Sequence, residues 1–333
     1  MRSYRVWEHG APSTMKIDEL PQLQPGPGEI CVDVHAAGIN FPDTLVISGQ
    51  YQILPPRPFT PGKDLAGVVR ATGPGVVGFA VGDRVMAQVE NGAFAEQALA
   101  RPDQAHLLPV GMGFDAAAAM GLVYQTAYFA LIERGEFKPG ETVLIGGAAG
   151  GVGLAAVQIA KGLGAKVLAA VRSPEEAAVV REAGVDAVID LSVGNLRDTV
   201  RAQVHAATDG HGADVVLDPL GDTFFHGALR AMAWCGRLVV IGFAAGEIPS
   251  VKVNYLLVKN ITISGLQWSD YRDRTPEKVL AVQNALFDLW RSGAVRPRIM
   301  RNFAFEELPI ALDLVAQGKV QGKAVISMSP QKT

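Results

Sequence analysis

The sequence predicts an α/β protein of two domains: a β-rich domain of short antiparallel strands, followed by a doubly wound parallel sheet. Three observations predict it. A glycine-rich turn, Gly146-Gly-Ala-Ala-Gly-Gly-Val-Gly153, separates the apolar run Val143–Ile145 from a helical pattern of Val152, Ala155, Ala156 and Ile159. Apolar runs and helical stretches then alternate as far as Ser264, the pattern of a parallel sheet covered on both faces. Before residue 122, short β patterns recur at roughly ten-residue intervals between glycine and proline turns, which indicates an antiparallel, barrel-like domain.

In chain order, Glu29–His35, Leu65–Arg70, Arg84–Val89 and Phe94–Leu99 read as the strands of the first domain, with Gly82-Asp83 as a turn. A helix near Asp115–Met120 and the stretch Gly121–Glu133 lead into the second. There the expected strands are Val143–Ile145, Lys166–Val171, Ala187–Asp190, Asp214–Asp218, Arg237–Ile241 and Ile261–Ser264, with helices after the glycine turn and around 175–183, 194–208 and 224–233. Thr275-Pro276-Glu277 starts a helix by the N-cap-then-proline signature, and Val279, Val282, Leu286 and Leu289 form its inner face. A strand near Arg301–Phe305, a helix at Glu306–Gln317 and a strand Ala324–Ser327 cannot bury a core alone, so this end is expected to fold back onto the first domain. The expected division is 1–122 with 269–333, and 123–268.

A chain of 333 residues is comfortable for two domains, and 49% hydrophobic with 19% charged residues is the composition of a globular protein. A net charge of −3 gives no case for nucleic acid. No apolar run reaches membrane-spanning length, and Met1-Arg-Ser-Tyr-Arg5 does not open a signal peptide, so no membrane is expected and the cytoplasm is the expected location. The two cysteines, Cys31 and Cys235, are too few for a disulfide framework and are expected to be small buried residues. His9, His35, His106, His205, His211 and His226 show no ligand spacing, and no metal is expected.

The turn carries Ala148-x-Gly150-x-x-Gly153, a dinucleotide fingerprint with Ala in place of its first glycine. Gly150 and Gly151 let backbone N–H groups approach a pyrophosphate, the helix N-terminus adds partial positive charge, and Gly153 lets the helix pack closely. After the second strand the chain reads Val171-Arg172-Ser173-Pro174, with no acid at the strand end to hold a ribose 2′-OH. Arg172 and Ser173 suit a 2′-phosphate, so NADPH is the expected cofactor.

Gly38-Ile-Asn-Phe-Pro-Asp43, Gly49-Gln-Tyr51, Pro61-Gly-Lys-Asp-Leu-Ala-Gly67, Gly82-Asp-Arg-Val85, Gln125-Thr-Ala-Tyr128, the glycine turn and Gly184-Val-Asp-Ala-Val-Ile-Asp190 follow one another in an order and spacing that resemble the medium-chain dehydrogenase/reductase superfamily. Within it they are similar to the zinc-independent quinone oxidoreductases related to zeta-crystallin. The resemblance implies a GroES-like antiparallel β-barrel catalytic domain, a Rossmann domain, and an active site in the cleft between them. The catalytic metal positions of the zinc-dependent branch correspond here to Asn40, Lys63 with Asp64 beside it in place of an adjacent glutamate, and Leu122; the three ligand positions hold an amide, an ammonium and an aliphatic side chain, none of which replaces a thiolate or imidazole, and the structural zinc loop is missing. That family often has a lysine where Glu176 stands and a tyrosine at Leu191.

The resemblance further implies that Gly150, Gly151, Val152, Arg172, Ser173, Leu220, Gly242, Phe243, Leu266 and Trp268 bind the cofactor, with Gly265–Trp268 closing over the nicotinamide beside Asn40 and Thr126. Asn40 could instead be a turn residue and Thr126 a helix cap. Tyr51 matches the proton donor of related enoyl-thioester reductases, or forms an aromatic wall of the pocket; Lys63 and Asp64 are candidates to pair with each other. The implied activity is hydride transfer from NADPH to a quinone. The alternatives are reduction of an enone or enoyl-CoA, for which Lys252, Lys259, Arg272 and Arg274 could form a cationic path, and an NADPH-binding structural protein without turnover. The run Ile261–Ser264 has no charge or proline to guard an edge, and in resembling families that edge pairs across a homodimer.

Overall fold

Val143, Leu144 and Ile145 are wholly buried in the computed structural model, which describes residues 1–328, because their strand lies inside a six-stranded sheet. Across the sheet run Ala187–Asp190, Lys166–Val171, Thr142–Ile145, Ala213–Asp218, Met232–Val240 and Thr262–Gly265, every neighbouring pair parallel. This is the doubly wound order in which the chain reverses direction between its first and fourth strands, and the strand ends at that reversal are where such folds bind ligands. The helices Gly151–Gly162, Pro174–Glu182, Leu196–Ala207 and Asp222–Ala231 connect successive strands.

This sheet belongs to a unit formed by Tyr124–Thr275 and Asn284–Arg296; the other unit is Met1–Val123, Pro276–Gln283 and the described residues from Pro297 onward. The expected change of domain at 122/123 differs from this by one residue, but 269–275 and 284–296 group with the parallel sheet rather than with the first unit. Gln158, on the helix Gly151–Gly162, donates to Arg296 O at 2.7 Å and accepts from Arg296 N at 3.0 Å, which ties the later segment to that helix. Residues 329–333, included in the expected division, lie outside the described residues.

The first unit holds a seven-stranded sheet in which Ile30–Gly38 pairs antiparallel with Asp64–Thr72, Gln97–Ala100 and Lys323–Ser327. The terminal strand thus returns to the first unit as expected, bringing Ile299–Ala304 with it as a parallel neighbour. A short helix, Phe41–Ser48, follows Asn40. The helix Phe114–Tyr128 is bent at Gly121, whose φ of −49° and ψ of −109° are not helical.

Two expectations fail in the second unit. Cys235 is exposed, whereas Cys31 is buried. The pairing jumps from Ala213↔Met232 to Val215↔Arg237, so 233–236 bulge out of the ladder, and Cys235 sits there with a left-handed φ of 59°. The helix expected to reach 233 ends at Ala231, where this strand begins.

Candidate active site

In the first unit the site grows from the turn between Ile30–Gly38 and the helix Phe41–Ser48. Asn40 is the residue before that helix, and its backbone N–H donates to Asp43 Oδ2 at 2.8 Å. The Asn40 amide is held at both ends: Nδ2 donates to Asp64 Oδ2 at 2.9 Å, and Oδ1 accepts from Lys323 Nζ at 2.6 Å. Lys323 Nζ also donates to Ile39 O at 2.6 Å. The bend at Gly121 takes the next amide out of the helical ladder, and Leu122 N–H donates to Asp64 Oδ1 and Oδ2 at 3.0 and 3.1 Å. A Cβ at Gly121 would lie 2.2 Å from Asp64 Oδ1, so this approach needs glycine.

Asn40, Asp43, Asp64 and Lys323 are all buried. Burial pushes the Asp43 carboxyl up to about 7, against the pull of the Lys63 ammonium and the Asn40 N–H, and Asp43 Oδ1 accepts no hydrogen bond from the protein. Burial likewise raises Asp64 and lowers Lys323, while the charges of Asp64 and Asp43 work to keep the lysine protonated. Lys63 and Asp64 do not pair with each other. Lys63 Nζ bonds Glu90 Oε1 at 2.5 Å and Glu90 O at 3.1 Å, because successive residues of an extended chain point to opposite faces. The same ammonium lies 5.1 Å from the centroid of the Tyr51 ring, a cation–π contact. Lys63 thus joins Tyr51 to Glu90, while its charge acts on the Asp43 and Asp64 carboxyls.

In the second unit the glycine turn has the geometry of a phosphate cradle. Gly147, with a φ of 54°, makes the tight turn that the fingerprint's first glycine would make, which frees Ala148 to be buried with its N–H on Ala170 O at 3.1 Å. A Cβ at Gly153 would lie 2.2 Å from Gly147 O, whereas one at Gly150 would meet only Gly147 O at 3.3 Å. Gly150 is the N-cap of Gly151–Gly162 and supplies no capping side chain, so Gly151 and Val152 open an uncapped helix N-terminus suited to a diphosphate.

Arg172 and Ser173 stand at the end of Lys166–Val171. The Arg172 side chain is 64% exposed, with Nη2 3.6 Å from Glu176 Oε1, and Ser173 caps Pro174–Glu182 by accepting from Glu176 N at 3.2 Å. Leu220 packs over Gly147, and Ala244 N and Ala245 N bond Pro219 O and Leu220 O, both at 3.0 Å, which joins the 219–221 loop to Gly242 and Phe243. Thr126 is buried inside the helix Phe114–Tyr128 rather than capping it. Leu266 and Trp268 are buried. Trp268 opens the helix Trp268–Arg274, under the Arg272 guanidinium at 5.8 Å from its ring.

Of the four cations that could have formed a path, three are engaged. Lys259 Nζ donates to Arg230 O at 2.8 Å and to Met232 O at 3.2 Å, Arg272 is buried against Asp273 at 2.8 Å, and Arg274 lies 3.6 Å from Asp270.

Sequence reasoning missed Asp43, Glu90, Lys323 and Asp218 as parts of these sites. Asp218, at the end of Ala213–Asp218, accepts from Leu220 N and Gly221 N, both at 2.9 Å, and burial pushes its carboxyl up to about 6. An acid followed by Pro-Leu-Gly at a strand end was a readable turn signal. For Lys323 no local signal exists.

Residues 26–129 match the family model described as alcohol dehydrogenase GroES-like domain, and residues 151–284 the one described as zinc-binding dehydrogenase. The chain is 35% identical to the quinone oxidoreductase-like protein 2 homolog of Nematostella vectensis, over 98% of this chain and 89% of the relative. It is 35% identical to a quinone oxidoreductase of Pseudomonas aeruginosa, over 96% of this chain and 97% of the relative. The solved structure of Escherichia coli quinone oxidoreductase complexed with NADPH superposes with a TM-score of 0.90 at 30% identity, covering 98% of this chain and 100% of that one.

Proposed function

Because the chain belongs to the quinone oxidoreductase family of the medium-chain dehydrogenase/reductase superfamily and is therefore an oxidoreductase, we propose that it uses NADPH to reduce a quinone without a metal ion. The observation that carries this reading is the filled position where a zinc enzyme would polarise its substrate. Asn40 has both ends of its amide engaged, Lys63 presents an ammonium to Glu90, and Leu122 contributes a backbone N–H to Asp64. Such donors do not hold a divalent metal. With no Lewis acid to polarise it, the acceptor must already be electron-poor, as a quinone is.

Bound NADPH supplies the hydride. The uncapped N-terminus of Gly151–Gly162 would hold its diphosphate and Arg172 and Ser173 its 2′-phosphate; the short polar side chains we assign to orienting the nicotinamide end are Asn40 in the first unit and Thr126 in the second. Tyr51, steadied by Lys63, faces the acceptor and excludes water from it. The test is NADPH oxidation with quinones, simple enones and enoyl-CoAs, by wild type and Tyr51→Phe. Turnover of quinones that the Phe variant retains supports this reading. Turnover of enones or enoyl-CoAs alone, lost in Tyr51→Phe, would replace it with an enoyl reductase in which the tyrosine hydroxyl donates the proton. No turnover at all would leave an NADPH-binding protein.

The assembly we propose is a homodimer through Thr262–Gly265. That strand has a neighbour on one side only among the described residues, and Trp234, Val253, Leu257 and Val258 are exposed in the same unit. Leu266 N donates inward to Val240 O, so by the alternation of a strand Thr262 also points inward and Ile263 outward. Proline at 263, not at Thr262, is therefore the variant that should give a monomer by sedimentation, and a dimer in that variant would refute this interface.

A further inference from the structure

We propose that Lys323 is a positioning residue: it fixes the side-chain amide of Asn40 in one orientation, and through it the nicotinamide end of the cofactor. The proposal rests on the role given to Asn40 above. Lys323 opens the strand Lys323–Ser327 and is 3% exposed. Its position is built: Gly322, at a φ of 80°, brings the chain so close to Arg298 that a Cβ would lie 2.4 Å from Arg298 O.

An ammonium carries only donors, so the group facing it on Asn40 must be Oδ1, at 2.6 Å. The carboxylate at the other end carries only acceptors, so the group facing Asp64 Oδ2 must be Nδ2, at 2.9 Å. A flipped amide would set N–H against ammonium and oxygen against carboxylate, and both bonds would be lost. The Asn40 backbone N–H is committed to Asp43 at 2.8 Å. What remains is the second Nδ2 hydrogen, which has only a 3.5 Å contact with Gly38 O, and it is the donor left for a ligand oxygen. A buried ion set of this kind is a poor route to stability compared with apolar packing, but it specifies one geometry. A positioning role accounts for a cation buried on the Asn40 amide oxygen, within the field of the Asp64 and Asp43 carboxyls, where a methionine would fill the space.

The test compares Lys323→Met, Lys323→Arg and the charge-balanced Lys323→Met/Asp43→Asn with Asp43→Asn alone. The Asp43 carboxylate bonds the Asn40 backbone N–H and not the Asn40 side chain, so the double variant removes the stranded charge while leaving the Asp64 bond in place. Four quantities are read: melting temperature, NADPH Kd, emission of bound NADPH, and kcat with its isotope effect from 4-deuterated NADPH. We expect the double variant to melt close to Asp43→Asn and to keep Kd within about threefold, while kcat falls about thirtyfold, as a small misplacement of a reacting group does. The isotope effect should rise and the nicotinamide emission should shift, and Lys323→Arg should recover part of both. A double variant that regains kcat together with stability would overturn the proposal, as would a loss of Kd in step with kcat. Failure of all three Lys323 variants to fold would also overturn it, since the lysine would then be a structural counter-ion. If wild type reduces no quinone, the acceptor reading fails, but Kd and emission still decide the role of Lys323.

Discussion

Replacing Glu176 with Gln tests how the 2′-phosphate is read. Glu176 Oε2 accepts from Arg172 N at 2.7 Å, and Oε1 lies 3.6 Å from Arg172 Nη2. With the arginine side chain 64% exposed, that ion pair is worth about 0–1 kcal/mol. A phosphate on Arg172 gains a charge-assisted hydrogen bond of about 1.5–3 kcal/mol, and Glu176 both competes for the guanidinium and adds like charge beside the phosphate. Glutamine keeps an oxygen for the Arg172 N–H and removes the charge. We expect kcat/KM for NADPH to rise about three- to fivefold, the equivalent of about 0.7–1 kcal/mol, with NADH little changed. Arg172→Ala should act in the opposite sense and raise the NADPH KM about ten- to a hundredfold. The assay is steady-state kcat/KM with both cofactors at low salt and at about 0.5 M salt, where an exposed charge effect shrinks. Equal changes for NADPH and NADH would show that the 2′-phosphate is read elsewhere. A gain insensitive to salt would refute the charge argument.

Three further outcomes follow from the same geometry. Gly153→Ala puts its Cβ against the Gly147 carbonyl and should lower stability by about 1–3 kcal/mol in urea unfolding, while Gly150→Ala should fold normally and weaken NADPH binding about tenfold in a titration. Asp43, raised from 3.8 to about 7, keeps in the folded chain a proton that the unfolded chain releases, so its contribution to stability is full below 3.8 and is lost as pH rises through about 7. Melting curves across that window should flatten in Asp43→Asn, and an unchanged slope would assign the loss to other groups. Chelators should leave activity intact; stoichiometric zinc in the purified protein, with activity lost on its removal, would contradict the reading of Asn40, Lys63 and Leu122.

The parallel sheet was legible because its signals are local. Lys166–Val171 and Ala187–Asp190 occupy the residues expected of them, since a short apolar run between a glycine turn and a helical pattern has few other uses. The helix Phe41–Ser48 carried its own start signal, Asn40 with Pro42 and Asp43, yet at eight residues it is too short for periodicity to mark it among strands. The bend at Gly121 and the bulge at 233–236 were not legible. Both are set by what approaches or pairs with the backbone, the Asp64 carboxylate in one case and the neighbouring strand Ala213–Asp218 in the other.

The site divides in the same way. Gly150, Gly151, Arg172 and Ser173 could be proposed from the sequence because a glycine turn before a helix and a strand-end arginine are short stretches of chain with a defined chemistry. The buried ion cluster was not, because no residue type announces its own burial. Lys63-Asp64 looked like a ready-made pair, but adjacency along an extended chain separates the two side chains, and each found a partner elsewhere: Lys63 at Glu90, Asp64 at Asn40 and Leu122. Lys323, before the apolar run Ala324-Val-Ile326, reads in the sequence as the solvated start of a strand. It becomes an interior cation only because Val325 pairs with Gly38 and so carries the lysine to Asn40, 283 residues away in the chain. The residues of this buried cluster are therefore brought together by strand pairing. A change in the register of Lys323–Ser327 would remove the cation from the site while every motif in the sequence stayed intact.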